Sequence, residues 1–318
     1  MKLVHKKKLI IGSRSSDLAM WQAKFVKKEI EGKNNTVKVE IKLVNTKGDK
    51  ILDVALSKIG DKGLFTKELE NELLNGTIDI AVHSLKDLQT DIPKGLKLTA
   101  VTSRHPVEDV LIGRKKGMTI DNLPEGGTVA TGSMRRKSQL KHLRPDINVV
   151  DLRGNVPTRI EKFIKSKWDA IILARAGLER LRMKKYISSY IEVNEFLPAV
   201  GQGALGIEIA SKNKFAAEIV ASIHDEKTFV EVLAERAFLK KLEGGCQVPI
   251  GAFAELKNNG LYLDGIIGSI DGFITFRKRM KGSKKNPDKL GNQLAKDILK
   301  AGAKKVLKEI YSSTGKCK

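Results

Sequence analysis

Hydrophobic and polar positions along the first hundred residues alternate in a way that predicts strands separated by helices. The stretch VKVEIKLVN, for example, alternates apolar and polar side chains as a half-buried strand does. The predicted elements, in chain order, are a strand at 9–13, a helix at 18–31 that Ser16 or Asp17 can cap, a strand at 37–45, a helix at 66–74, and strands at 78–83 and 96–102. Strands that alternate with helices indicate an α/β unit with a largely parallel sheet.

A second α/β unit follows, and the last third of the chain has a different pattern. The second unit is predicted to contain strands at 128–130, 149–152 and 170–173, with helices at 133–143 and 157–166. A Gly- and Pro-rich connection at 197–204 leads into an apolar strand at 205–210. From about residue 214 the pattern predicts two helices, hairpin-like strands at 261–270 and 273–280, and a helix at 288–310. The expected fold class is therefore α/β, with a smaller α+β domain at the C-terminus.

The composition allows two or three domains. A chain of 318 residues is too long for one ordinary core, and its hydrophobic fraction of 41% is sufficient for several. No apolar run approaches the roughly 20 residues of a membrane helix, and the short apolar stretch at 9–11 predicts a strand instead of a signal peptide. With only Cys246 and Cys317, a disulfide framework is not expected, and the expected setting is the reducing cytoplasm.

The net charge of +22 indicates a polyanionic partner, which could be nucleic acid, an anionic membrane surface or a multiply carboxylated small molecule. Ten of the 14 arginines fall between Arg104 and Arg182, whereas lysines are abundant throughout. The guanidinium group offers a planar fork of donors that lysine lacks. The arginine cluster therefore favours a site that uses this fork, while the lysines can equally reflect a compositional bias of the surface.

One candidate site is the segment His83-Ser84-Leu85-Lys86-Asp87, directly after a strand predicted to be buried. Ligands of α/β sheets gather at the carboxyl ends of strands. Asp87 is therefore a candidate functional carboxylate, with the positive charge of Lys86 beside it. From this feature alone, a helix cap is an equally good interpretation of Asp87.

Two further candidate segments follow strands of the second unit. The segment 131–136, with sequence TGSMRR, combines hydroxyl groups, a glycine and backbone N–H groups at a helix start, which is typical of an anion site. Arg135 and Arg136 add charge-assisted donors for carboxylates. Arg153 lies in the next turn after a strand, and Arg159 lies early in the following helix. The alternative interpretation of Arg135 and Arg136 is an exposed basic helix start.

Cys246 lies in the segment LEGGCQVPIG, where two glycines precede it on a predicted loop. Such a cysteine is accessible, as a covalent attachment point must be, although a small buried hydrophobic residue is the alternative. The sequence contains no CxxC and no metal-ligand spacing of its five histidines, and it has no Walker or GxGxxG motif. It therefore predicts neither a metal site nor a nucleotide cofactor.

Eight segments together resemble the hydroxymethylbilane synthase family, also called porphobilinogen deaminases, in their order and spacing from about residue 9 to 255. They are IGSRSSDLAMWQA, ILDVALSKIGDKGLFTKELE, DIAVHSLKD, VATGSMRRKSQL, LRGNVPTR, DAIILARAGLERL, LPAVGQGALGIE and LEGGCQVPIG. The part of the chain beyond about residue 255 resembles the family only loosely.

This resemblance implies three domains, the first two being periplasmic-binding-protein-like lobes with a cleft between them. The implied boundaries are 1–103 with 200–222 for domain 1, 104–199 for domain 2 and 223–318 for domain 3, which carries the cofactor cysteine. The implied reaction is the deaminating head-to-tail condensation of four porphobilinogen molecules on a dipyrromethane cofactor, followed by hydrolysis that releases hydroxymethylbilane. The implied enzyme is a cytoplasmic monomer that requires no metal, membrane or nucleic acid.

The resemblance also assigns roles to individual residues. Cys246 holds the cofactor through a thioether, and Asp87 is the catalytic residue. Cofactor contacts fall on Lys86, Asp87, Thr131, Ser133, Arg135, Arg136, Arg153 and Gly154. Substrate contacts fall on Arg14, Ser16, Arg153, Arg159 and Arg180, and Lys58 and Lys62 lie on a mobile loop. Arg175 departs from the family, which usually has a small apolar residue there, and it receives no role.

Two other functions fit part of the sequence. A non-catalytic receptor for a small anion fits the two-lobed fold and the arginines, but it does not explain Cys246 in its Gly-Gly setting. A nucleic-acid-binding protein fits the charge of +22, but only 5% of the residues are aromatic, which is few for base stacking.

Overall fold

The structure, a computed structural model, describes residues 7–46, 48, 63–243 and 248–313. These residues form two compact units. One comprises the described residues up to His105 together with Gly203–Phe229, and the other comprises Pro106–Gln202 and the residues from Val230 onward. The three-domain boundaries expected from the sequence remain a prediction.

The described part of the chain contains strands and helices in the following order. The strands are β1 (Lys7–Ser13), β2 (Val37–Leu43), β3 (Ile80–Ser84), β4 (Leu96–Val101), β5 (Asp109–Gly113), β6 (Thr128–Ala130), β7 (Asn148–Val150), β8 (Ala170–Ala174), β9 (Ser189–Ile191), β10 (Leu205–Ala210), β11 (Ile250–Lys257), β12 (Gly260–Gly268) and β13 (Thr275–Gly282). The helices are α1 (Asp17–Lys33), α2 (Lys67–Leu74), α3 (Met134–Leu143), α4 (Val156–Lys165), α5 (Arg175–Arg180), α6 (Lys214–Ala221), α7 (Glu226–Lys241), α8 (Pro287–Ile298) and α9 (Lys304–Ser313).

The first unit is built on a five-stranded sheet with the strand order β2-β1-β3-β10-β4. β1 runs parallel to β2 and β3, whereas β10 runs antiparallel to both β3 and β4. The expectation of a largely parallel sheet is therefore correct for four of the five strands, which run in one direction. β10 is the exception, because it returns from the distant connection at 197–204 and enters in the opposite direction. A buried apolar cluster joins the sheet to α1 and α6, with Leu9, Ile80 and Ile207 fully buried.

The second unit contains a five-stranded sheet with the strand order β7-β6-β8-β5-β9. β6 is parallel to β7 and β8, and β5 is antiparallel to β8 and β9. Neither β5 nor β9 was predicted from the sequence. β5 is nevertheless central to the sheet, and its residues Val110 and Leu111 are fully buried.

A three-stranded antiparallel sheet, β11-β12-β13, forms the C-terminal part of the second unit. Helices α7 to α9 share a buried apolar core with it, which includes Phe238, Leu263 and Leu294. The prediction of one helix over 288–310 is wrong: a π-type turn at Leu299–Ala303 separates α8 from α9. Gly302 in that turn has φ of +118°, which ordinary residues rarely adopt.

The predicted fold class is confirmed, since two α/β sheets and a small α+β domain are all present in the described residues. No helix in the described ranges is both long and apolar enough to cross a bilayer. Because the sequence motifs follow strands, the candidate functional side chains lie at the ends of the sheets.

Candidate active site

In the first unit, the motif containing Asp87 forms a tight turn at the carboxyl end of β3. Leu85–Asp87 is a single 3₁₀ turn, and the Asp87 side chain is exposed at its end. The turn is fixed at its start, where the Leu85 N–H donates to the Ala204 carbonyl at 3.0 Å, and it closes where the Leu88 N–H donates to the Leu85 carbonyl at 3.2 Å. Asp87 is therefore presented to solvent on a braced turn and is not a helix cap.

Arg14 and Ser16 follow β1, the parallel neighbour of β3, so both motifs lie at the same edge of the sheet. The Arg14 guanidinium lies over the Phe65 ring, 4.3 Å from its centroid, which holds the charge in one orientation. Ser16 caps α1 by accepting the Ala19 N–H at 3.4 Å. Asp17 is consequently the first helical residue and not the cap, and the Ser16 hydroxyl already has one partner.

Gln22 is a residue of this edge that the sequence analysis missed. Its Nε2 atom donates to the Ser84 hydroxyl at 2.7 Å, so α1 is tied directly to the start of the Asp87 turn. Gln22 is 3% exposed. It stands four residues before Val26 and eight before Ile30, both buried, and a lone amide on an apolar helical stripe was a signal available from the sequence.

In the second unit, the turns after β6 and β7 lie against each other. The Thr131 N–H donates to the Val150 carbonyl at 2.9 Å. A Cβ on Gly132 would lie 2.5 Å from the Leu152 carbonyl oxygen, so only glycine allows this approach. Gly154 has φ of +115°, and a Cβ there would lie 2.8 Å from Thr158. The predicted cofactor contacts 131–133 and 153–154 are thus brought together.

Arg135 and Arg136 occupy a different environment from the exposed helix start that the sequence allowed. They are 4% and 5% exposed and flank Asp109, which is 0% exposed. One Nη2 atom lies 2.8 Å from Asp109 Oδ2, and the other lies 2.7 Å from Oδ1. Burial alone would raise the pKa of Asp109, but the two guanidinium charges outweigh it and hold that pKa well below its usual range.

The remaining contacts of this pair anchor it to the backbone. Arg135 donates to the Leu197 carbonyl at 2.7 Å, and Arg136 donates to the Ile172 carbonyl at 3.0 Å. Gln202 donates to Asp109 at 3.0 Å. The Nε atom of each arginine is buried and has no hydrogen-bond partner among the described residues. Each arginine thus combines a structural role with an Nε donor that has no partner among the described residues.

Arg153 also has a donor atom without a partner among the described residues. Its Nη1 atom is buried but has no hydrogen-bond partner within the described ranges, although a buried polar atom normally has one. Arg159 lies nearby, because its Nε atom donates to the Gly154 carbonyl at 2.7 Å. Arg180 is 5% exposed, and burial lowers its pKa to about 10.

Arg175, the departure from the family pattern, is explained by its neighbours. Its guanidinium lies 2.9 Å from Glu179 and 3.4 Å from Glu108, and it stacks over the Tyr190 ring at 4.7 Å. Two carboxylates therefore balance the charge. Arg175 stabilises the start of α5 and adds no uncompensated charge to the site.

Three predicted residues, Cys246, Lys58 and Lys62, lie outside the described residues. Among the residues that are described, no group of three His, Cys, Asp or Glu side chains converges as metal ligands do.

Comparison with known proteins assigns the chain to a family. Residues 9–218 match the model of the "Porphobilinogen deaminase, dipyromethane cofactor binding domain", and residues 229–300 match the "Porphobilinogen deaminase, C-terminal domain". The porphobilinogen deaminase of Carboxydothermus hydrogenoformans is 48% identical over 305 residues, covering 96% of this chain and 98% of the relative. That of Moorella thermoacetica is 47% identical, with 96% and 97% covered, and one from Prochlorococcus marinus is 49% identical, with 96% and 97% covered.

Among solved structures, the methionine binding protein MetQ overlaps 70% of this chain and 92% of its own, with 11% identity and a TM-score of 0.43. That overlap is too weak to support an argument about function. The family models and the relatives agree over nearly the full length, and the chain belongs to the porphobilinogen deaminase family.

Proposed function

We propose that this protein is a hydroxymethylbilane synthase that condenses four porphobilinogen molecules on a dipyrromethane cofactor and releases hydroxymethylbilane by hydrolysis. The match of the chain to both models of the family, over residues 9–218 and 229–300, carries this proposal. Family membership also favours an enzyme over a non-catalytic receptor for small anions. The residues at the two sheet edges supply the chemistry that the reaction needs.

The residues of the second unit fit a cofactor that carries carboxylates. The buried Nη1 atom of Arg153 has no partner among the described residues, which suits an anionic ligand. Ser133 begins α3 without a side-chain capping bond, so its hydroxyl can also serve as a donor. When bound, dipyrromethane supplies the pyrrole to which the first substrate ring is joined, and we propose Cys246 as its point of attachment.

We propose that Asp87 stabilises positive charge on the reacting pyrrole. Loss of ammonia from porphobilinogen leaves a cationic ring, and the new bond is completed when a pyrrole carbon loses its proton. A carboxylate on a fixed turn can accept hydrogen bonds from pyrrole N–H groups and stabilise this charge as it develops. The same group can take up and return the proton. The bonds that brace Leu85 and Ser84 hold Asp87 in place for repeated cycles.

The basic residues are proposed to bind the acetate and propionate groups of the pyrroles. Each ring adds two carboxylates, so an elongating product needs several cationic donors. Besides Asp87, the proposed cofactor contacts are Lys86, Thr131, Ser133, Arg135, Arg136, Arg153 and Gly154. The proposed substrate contacts are Arg14, Ser16, Arg153, Arg159 and Arg180. Arg135 and Arg136 would contribute through their Nε donors, since their other nitrogens contact Asp109 and the backbone.

The stoichiometry of ammonia release tests the proposed reaction. Purified protein is incubated with porphobilinogen, and ammonium and linear tetrapyrrole are both quantified. Four ammonium ions per tetrapyrrole are expected, and Asp87→Asn should lower turnover by at least about a hundredfold, because general acid–base and electrostatic contributions are of that order. Asp91→Asn, which changes another exposed aspartate close to the turn, is the control. Normal turnover in Asp87→Asn would exclude the role of Asp87.

The proposal also includes a cytoplasmic monomer that does not require nucleic acid. The low cysteine content supports the compartment. Light scattering should give the mass of one chain, and added DNA should leave turnover unchanged at every salt concentration. A dimer mass, or turnover that depends on DNA, would contradict this part of the proposal.

A further inference from the structure

A buried cluster of three ionisable side chains lies in the first unit, close to the Asp87 turn. His83 is 5% exposed, Glu208 is 0% exposed and Glu70 is 6% exposed. His83 Nε2 lies 3.1 Å from Glu208 Oε2. This hydrogen bond joins the two buried side chains directly. The proposed chemistry uses none of these three groups, although His83 is separated from the turn by Ser84 alone.

The sheet places His83 and Glu208 on the same face. In the β3–β10 pair, His83 is opposite Gly206 and Ala81 is opposite Glu208. Directly opposed residues share a face, as do residues two apart on one strand. Small residues therefore stand beside both His83 and Glu208. Helix α2 packs on this face, because Leu69 and Leu73 share a buried cluster with Ala81, and Glu70 is a buried residue of the same helix.

The same face supports the turn. Leu85 lies two residues beyond His83 and is 1% exposed. A Cβ on Gly206 would lie 2.8 Å from Leu85 Cδ1, so the side chain that anchors the turn packs directly on the strand position opposite His83. A displacement of β10 against β3 would therefore move Leu85, and with it the turn that ends at Asp87.

The surroundings of Glu70 shift its pKa and leave two carboxylate oxygens of the cluster without partners among the described residues. Burial raises the pKa of Glu70 most strongly, and the negative charges of Glu208 and Glu68 raise it further. A side-chain hydrogen bond with Thr66 and the charge of His83 lower it, but the net direction is upward. Oε1 of Glu70 and Oε1 of Glu208 are buried without hydrogen-bond partners in the part of the chain that the structure describes. A carboxylate that becomes ionised in a buried site without a partner for its charge is costly.

We propose that His83 and Glu208 are positioning residues for the Asp87 turn, and that ionisation of Glu70 weakens their hold on that turn. This inference rests on the proposed function, because Asp87 is the group that the turn presents. The pair keeps β10 in register with β3, and ionisation of Glu70 weakens this link by adding an unbalanced negative charge between the sheet and α2.

The sign of the pH effect follows from the raised pKa of Glu70. The contribution of Glu70 to the unfolding free energy is complete below the pKa of a glutamate in the unfolded chain, which is about 4.3. That contribution is lost as pH rises through the higher pKa of the folded state. The unfolding free energy of the first unit should therefore decline over this range, and kcat should decline with it, while KM is unchanged.

The test compares His83→Gln, Glu208→Gln, the double variant His83→Gln/Glu208→Gln and Glu70→Gln, with Glu72→Gln as the matched control. Glu72 lies on the same helix but in a surface ion pair with Lys42. Two measurements are made across pH: urea unfolding followed by Trp21 fluorescence in a Trp168→Phe background, and kcat with KM for porphobilinogen. The unfolding measurement needs no substrate, so it tests the cluster even if the wild type has no turnover. Absence of turnover in the wild type would overturn the proposed function and not the inference about the cluster.

Each single variant of the pair should lower kcat by about tenfold or more with KM within about twofold, because a positioning defect acts on the transition state. The double variant, with two neutral partners, should lose less than the product of the single losses. Glu70→Gln should remove the decline in stability with rising pH, and Glu72→Gln should retain it. Unchanged kcat in the single variants, multiplicative losses in the double variant, or a wild-type pH profile in Glu70→Gln would each overturn the proposal. If the single variants do not fold, the double variant and Glu70→Gln still decide between these outcomes.

Discussion

Replacement of Asp109 by asparagine should destabilise the second unit severely while preserving the shape of the side chain. Asp109 is fully buried, and it lies within 2.8 Å of two arginines that are 4% and 5% exposed. Removing one partner of a buried ion pair costs about 3–5 kcal/mol, since an uncompensated charge remains. Here two guanidinium groups would remain, so a loss at the upper end of that range is expected.

Urea unfolding followed by Trp168 fluorescence, in a Trp21→Phe background, measures this loss in the unit that contains Asp109. Asp146→Asn is the control, because it removes a carboxylate from an ion pair of similar length, with Arg144, at the surface. Folding lowers the pKa of Asp109. The ionised side chain therefore contributes to the unfolding free energy above the unfolded pKa of about 3.9. This contribution is lost only as pH falls through the lower pKa of the folded state. The difference between wild type and Asp109→Asn should therefore be constant from neutral pH down to about pH 5. A loss below about 1 kcal/mol, or one no larger than that of Asp146→Asn, would refute the reasoning.

Three further variants test the site. Arg153→Gln should reduce cofactor loading, measured by mass spectrometry, without lowering the unfolding free energy, because the buried Nη1 atom of Arg153 has no partner among the described residues. The control Arg144→Gln should lower the unfolding free energy instead, because it breaks bonds to several loop carbonyls. Gly154→Ala should cost about 1–3 kcal/mol in urea unfolding, more than Gly126→Ala, because both glycines have positive φ but only Gly154 has a neighbour that a Cβ would strike. Gln22→Leu should fold normally but lower kcat several-fold, since it releases Ser84; an unchanged kcat would mean that this bond does not position the turn.

The motifs were predictable from sequence because each lies in a short, local pattern. Asp87 and Arg153 follow strands, and the structure places both in turns at strand ends, as the sequence indicated. The structure adds the reason for the glycines in these turns, because close approach at Gly132 and positive φ at Gly154 favour glycine. Local chemistry thus identified the turns in both units.

Contacts between distant segments were not predictable in the same way. Asp109 opens an apolar strand, but its partners are 26 and 27 residues away on α3 and could not be inferred from spacing. The antiparallel entry of β10 depends on a strand pairing across more than a hundred residues, which leaves no local pattern. The His83–Glu208 contact arises from that pairing and was missed for the same reason.

Intact-protein mass spectrometry tests the central claim most directly. The purified chain, Cys246→Ser and the control Cys317→Ser are each measured before and after addition of porphobilinogen. The account predicts a mass excess of one dipyrromethane in the wild type and in Cys317→Ser, its loss in Cys246→Ser, and a ladder of single pyrrole additions once substrate is present. An unmodified wild-type chain that forms no ladder, even after incubation with porphobilinogen or preformed hydroxymethylbilane, would contradict it.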